Sequence, residues 1–144
     1  MAKYDTYFQP VPSSQVHGFK TFEYGYRASL KVSGAQALVN RWVKTLMTPR
    51  GSDPIYKEYG TGFSGLVGSN ISDVTTDLVD VVNIAIEEAN EQVREQDLVG
   101  FFPDNERLAN ATLLSIEYSE DGMDVWVNIQ NVAGESVPFR LVTL

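Results

Sequence analysis

Two stretches of this chain repeat their apolar residues every three or four positions, and the last third alternates them instead. Leu38, Val39, Trp42, Val43 and Leu46 share one helical face, with Arg41 and Lys44 on the opposite side. Ser33 with Gln36 three residues on forms a capping box, and Pro49 ends the helix. A second helix carries Val74, Leu78, Val81, Val82, Ala85, Ala89 and Val93 on one stripe, with Asp77, Asp80, Glu87, Glu91 and Glu95 largely on the other. Ser72 or Thr75 caps it, early acids including Asp73 suit its dipole, and Gly100 and Pro103 close it. Beyond a connection over Asp97 to Arg107 the period falls to two. Thr112, Leu114, Ile116 and Tyr118 take one side of a first strand, and Ser119-Glu120-Asp121-Gly122 is a hairpin turn. Met123, Val125, Val127 and Ile129 face inward on the next strand, and Trp126 faces the other way. Gly134 marks a turn before Val137, Phe139 and Leu141. Pro138 cannot donate to a ladder, which predicts an edge strand or one side turned outward. These elements predict an α+β fold: two amphipathic helices packed on a small, mostly antiparallel sheet, with a C-terminal three-stranded segment.

Ahead of these elements, Met1 to Ser14 shows no period and has two prolines, so residues 1–25 read as an extended N-terminal arm before a single domain over 26–144. Tyr26, Ala28, Leu30 and Val32 alternate with polar residues and predict a short strand. Seven of the sixteen aromatics precede residue 27, unusual for a disordered tail, so the arm is expected to lie on its own domain or on a neighbour. No internal repeat is present.

Length and composition add limits. A chain of 144 residues, 43% of them hydrophobic, forms one domain that buries roughly 68% of its unfolded surface. Without cysteine, packing must supply the stability, which fits a reducing compartment. Met1-Ala-Lys lacks a leader's apolar core, and Leu78 to Ile86 is too short and too polar to span a bilayer, so neither export nor a membrane is expected. The net charge is −8, yet residues 1–57 hold eight bases against three acids and the rest three bases against sixteen acids. This asymmetry reads either as a solvated surface or as a molecule whose ends dock on different partners. Its overall sign argues against nucleic acid.

Candidate chemistry is sparse. Glu87, Glu88, Glu91 and Glu95 resemble paired hydrolase carboxylates only until their spacing is considered: acids along one exposed stripe offer no cleft to raise one pKa. His17 stands alone, so no zinc site is expected, and Ser13 and Ser14 have no hydrolase context. Gly60-Thr61-Gly62 with Gly65 and Gly68 lacks the Lys-Ser/Thr pair of a phosphate cradle. Asp73, Asp77 and Asp80 are spaced too widely for a calcium loop. Neither an enzyme nor a cofactor is expected.

The richest stretch is Thr48 to Phe63, between the helices. Pro49 and Gly51 stop the first helix, Pro54 biases Asp53 to extended geometry, and Gly60 and Gly62 permit sharp turns. A helix ending in Leu46-Met47-Thr48, then Arg50-Gly51-Ser52, Pro54, Glu58-Tyr59-Gly60, an acidic second helix and a closing three-stranded segment resembles the sheath-initiator family. Its members are baseplate wedge subunits of contractile phage tails, with counterparts in type VI secretion. The resemblance covers about Tyr26 to Leu144. Some members carry the name lysozyme, which these residues do not support.

The resemblance implies a structural baseplate subunit that joins wedge and tube and templates the first ring of sheath by strand addition. The implied setting is a virion tail assembled in the host cytoplasm, with several copies in a sixfold assembly. The family grips a helical wedge bundle through a Glu-Pro-Arg motif, of which Asn105-Glu106-Arg107 retains only Arg107 in place, after an apparent insertion over Val99 to Asp104. It therefore implies wedge-binding by Arg107 and Arg50. Sheath-binding falls to Val125, Val127, Ile129, Val137, Phe139 and Leu141, on a C-terminal hairpin with a free last strand. Pro54, Tyr59, Gly60 and Phe63 form a structural loop, with Tyr59 and Phe63 expected to be buried. Expected partners are wedge proteins, the sheath protein and the tail tube. Alternatives are a regulatory adaptor of the same fold and, last, a peptidoglycan hydrolase.

Overall fold

The computed structural model describes residues 7–11, 20–25, 33–66, 76–119 and 122–143. Strands β1 (Tyr7–Val11) and β2 (Lys20–Gly25) precede helix α1 (Ala35–Met47). Helix α2 (Thr76–Val99) follows, then β3 (Leu108–Ser119), β4 (Gly122–Asn131) and β5 (Ser136–Thr143). The fold is α+β. Its sheet has five strands, in the order β1-β2-β5-β4-β3, and the expected C-terminal three-stranded segment is β3 to β5. All neighbours are antiparallel except β2 and β5, which run parallel through Lys20–Phe139 and Thr21–Arg140.

This order corrects the expectation of a free last strand. β5 lies between β4 and β2, and the outer strands are β1 and β3. The proline is accommodated by register. On the other side of the sheet's centre, Ala111 turns its carbonyl away from β4 to accept from Asn90 Nδ2 at 3.0 Å. Strict alternation then directs Asn128, opposite Thr112, towards β3. Pro138 stands opposite Asn128, so no ladder bond to β4 is asked of it, and the paired residues of β2 begin one position later, at Phe139.

The two helices cover one face of the sheet, α2 against β3 and α1 against α2 and β4. Leu38, Val39, Trp42, Val43 and Leu46 are buried as their spacing predicts. They meet Val125, Val127, Ile129, Phe139 and Leu141 in one core, where Trp42 and Phe139 pack edge to face at 5.9 Å. On α2, Ile86 is buried and Val81 is 42% exposed, which reverses the expected placing of Val81. The buried row Leu78, Val82, Ala85/Ile86, Ala89, Val93 steps by three and four, and Val81 falls beside it. Val74 and the expected caps Ser72 and Thr75 lie outside the described residues, as does the strand expected over Tyr26 to Val32.

Two further expectations change. In β3 the inward residues are Leu108, Ala111, Leu113 and Ile116, whereas Thr112 and Leu114 are exposed. Register shifts between Leu108 and Asn110 and between Leu113 and Ser115 each reverse the parity, which strict alternation cannot anticipate. The capping box of α1 does not form either. Gly34 is the N-cap, with φ 66°, and no side chain caps it. Its N–H donates instead to Glu106 Oε1 at 3.1 Å, a contact across 72 residues of sequence.

Candidate functional site

Thr48 to Phe63 forms a pinned loop rather than a linker. Thr61 N–H donates to the Thr48 carbonyl at 2.9 Å and Arg50 N–H to the Thr61 carbonyl at 3.2 Å, tying the loop's two ends together. Gly60 is required at this closure. Its φ is 104°, and a Cβ there would stand 2.4 Å from the Thr48 carbonyl oxygen. The Gln92 side chain then acts as a surrogate strand. Gly60 N–H donates to Gln92 Oε1 at 2.9 Å, and Gln92 Nε2 donates to the Gly60 carbonyl at 2.8 Å. Thr61 Oγ1 donates to the Leu46 carbonyl at 2.6 Å.

The expected loop residues divide accordingly. Phe63 is fully buried, Tyr59 is half-buried with its hydroxyl 3.2 Å from Thr45 Oγ1, and Pro54 is exposed. Asp53 accepts the N–H groups of Ile55 and Tyr56, both at 2.8 Å. These backbone donors, Tyr56 first, hold its carboxyl below the usual 3.8. The tip beyond it, Ile55 and Tyr56, is exposed.

Arg50 and Arg107, expected at an interface, both sit at the surface with partners in the chain. Arg50 pairs with Glu88 at 3.0 Å, and Arg107 pairs with Asp104. Behind Arg107 lies a network that hydrophobic periodicity does not reveal. Arg41, expected on a solvated face, is only 14% exposed and pairs with the buried Asp97 at 2.8 Å. Its guanidinium lies 3.9 Å from the Phe102 ring centroid and donates to the Glu106 carbonyl, while Asp97 Oδ2 accepts Leu108 N–H at 2.9 Å. Helix α1, the end of α2 and the start of β3 are thereby locked around one buried ion pair. The nearest sequence signal is an Arg flanked by core positions, Asn40 and Trp42, and a long-range acid cannot be matched to it by spacing.

The residues expected to bind sheath are placed differently. Val125, Val127, Ile129, Phe139 and Leu141 all face the core, and Val137 packs against it. The five buried side chains hold the helices to the sheet and are withdrawn from the surface, and Val137 is half-buried. Backbone groups at the sheet's margin are what a partner strand could reach. At β3, Arg94 takes the Ala109 carbonyl and Asn90 the Ala111 carbonyl, both at 3.0 Å. The same Asn90 accepts Trp42 Nε1 at 2.7 Å, linking both helices to the strand. Alternation along β4 directs Asn128, Trp126 and Asp124 towards β3. Leu113, opposite Val127, and Ile116, opposite Val125, therefore turn their backbone groups outward, beyond the positions that α2 plugs. Among the described residues no strand lies outside β3.

Glu87, Glu91 and Glu95 are exposed along α2, and Glu88 is engaged by Arg50. Among the described residues no group of three or more His, Asp or Glu could hold a metal, and no helix is long and apolar enough to cross a membrane. No protein-family profile matches the chain, and no curated protein matches it. Among solved structures it is similar to a protein from Geobacter sulfurreducens that bears the name of a tail lysozyme. The identity is 14% and the TM-score 0.45, over 81% of this chain and 97% of that one.

Proposed function

We propose that this chain is a structural subunit of a contractile tail, seated in the baseplate between wedge and tube, where it templates the first ring of sheath by strand addition. The observation that carries the reading is the outer side of β3. Twelve residues long, β3 pairs with β4 on one side and offers the backbone groups of Leu113 and Ile116 on the other. Such an edge accepts a further strand through main-chain hydrogen bonds, and alternate side chains set its register. Arg94 and Asn90 block the Ala109 and Ala111 carbonyls, so an added strand is confined to the half of β3 beyond them. The order of elements that resembles sheath initiators supports the setting, and Arg50 and Arg107 lie at the surface, where a wedge partner would compete for them with Glu88 and Asp104.

The test places charge on the edge without touching the core. Thr112 and Leu114 are exposed on β3, and a T112K/L114K variant keeps every buried contact. Tails assembled with it should show tube and baseplate but little ordered sheath in electron micrographs. Full-length sheath on a folded variant would contradict the reading. The hydrolase alternative requires activity on cell-wall sugar that is lost on changing Glu87 or Glu91, and none is expected.

A further inference from the structure

The row of α2 that overhangs β3 changes its chemistry along its length. At one end Arg94 and Asn90 donate to the Ala109 and Ala111 carbonyls and so occupy groups that a further strand would need. Steps of three and four carry the same row on to Glu87, Asn83 and Asp80, all exposed. The contacts of Arg94 and Asn90 show that α2 and β3 run in opposite directions. At about 1.5 Å per helical residue and about 3.3 Å per strand residue, Glu87 therefore stands near Leu113 and Asp80 near Ile116. A carboxylate cannot donate to a carbonyl, so the plug ends where the acids begin.

The face of β3 turned away from the helices is acidic over the same half. Glu117 is exposed and stands directly across from Asp124 on β4. Like charges so placed repel, and the neighbouring cation, Arg140, is held by Asp124 through Nε at 3.0 Å. Among the described residues no ion pair engages Asp80, Glu87 or Glu117. The outward backbone groups of Leu113 and Ile116 thus have carboxylates without counter-ions on both sides of the sheet.

We infer that the segment β3 accepts is a basic strand, with Lys or Arg at alternate positions facing α2 and a further base opposite Glu117. The inference rests on strand addition at β3 and names the chemistry of the strand. On the α2 side, the half-buried Leu113 and Ile116 suit the aliphatic stem of a Lys or Arg whose head reaches Glu87 or Asp80. On the other side, a base beside Glu117 forms the opposite-charge cross-strand pair that β4 does not supply. Main-chain bonds give affinity to any strand, and the acids choose among strands. A second copy of this chain is the wrong occupant, because pairing β3 with β3 would set acid against acid.

The probe is a peptide of about nine residues, within the usual range of strand lengths. It has Lys at alternate positions, one more Lys midway on the other face, and Thr elsewhere, and a counterpart has Glu in place of Lys. Each is titrated into the full chain, with binding followed by NMR and by hydrogen exchange at the Leu113 and Ile116 amides. The Lys peptide should protect both amides and bind at least about tenfold more tightly than the Glu peptide. E87Q/E117Q replaces two exposed carboxylates, should keep the wild-type denaturation midpoint, and should weaken the Lys peptide at least about fivefold. E95Q/E135Q makes the same change of net charge away from this half of β3 and should bind like the wild type. Equal protection by the two peptides would leave strand addition standing and overturn the selection by charge. So would an equal loss in E87Q/E117Q and E95Q/E135Q, since the attraction would then be to the net charge of the chain. Protection by neither peptide at any soluble concentration would overturn strand addition and this inference with it.

Discussion

Single residues decide the path of the loop between the helices, and Gly60 most of all. Gly60→Ala must relieve a contact with backbone, which side-chain rotation cannot do, and should cost at least about 2 kcal/mol in denaturant unfolding. Gly51→Ala is the control. Its φ of 84° carries the left-handed penalty, but its Cβ would meet nothing within 4 Å, so about 1 kcal/mol is expected. Equal costs at the two sites would show that conformation, rather than the close approach to Thr48, governs the loop. The need for a glycine here is legible in the sequence. Its partner Gln92 is not, because an amide 32 residues away on a polar helical face looks like any solvated side chain. Asp53 offers a finer local test. Its depressed carboxyl keeps its stabilising hydrogen bonds above the ordinary 3.8 and loses them as pH falls through its lower folded value. The amide resonances of Ile55 and Tyr56 should therefore titrate together with a midpoint below 3.8, and Asp53→Asn should abolish that titration.

At the scale of elements, the two helices and the C-terminal strands followed from the sequence pattern, while the pairing of β1 with β2 and the joints between elements did not. The inward rows of α1, β4 and β5 emerge from spacing alone, since burial against one layer imposes one period. β3 defeats the same reasoning because two bulges reset its parity, and a bulge leaves no mark when Asn, Ala, Leu and Ser surround it. Arg41 defeats it too. A charge beside a buried stripe reads as solvated unless its counter-ion is known, and Asp97 lies on the other helix. Replacing one partner strands the other in a poorly hydrated site. Arg41→Met should cost about 3 kcal/mol, measured as a shifted denaturant midpoint. Arg107→Ala, with its local and exposed partner, should change stability by less than about 0.5 kcal/mol. If the two costs were alike, the buried pair would not be the joint described.

For the whole molecule, the sheet order carries the functional account. Composition and pattern predict the α+β class, but not that a strand from the first 25 residues covers β5, because parallel pairing across more than a hundred residues leaves no local signature. That pairing moves the sheet's margins from the last strand to β1 and β3; at β3, α2 plugs one half through Arg94 and Asn90, and among the described residues nothing pairs with the other half. The core residues once expected to meet the sheath instead fix the position of this margin. The most direct measurement is amide hydrogen exchange at Leu113 and Ile116, in the isolated protein and in sheathed tails containing it. Strand addition predicts rapid exchange at both amides in the isolated protein and strong protection in the sheathed tail, with the amides of Val127 and Ile129 protected in each. Exchange at Leu113 and Ile116 that stays rapid in the sheathed tail would contradict it.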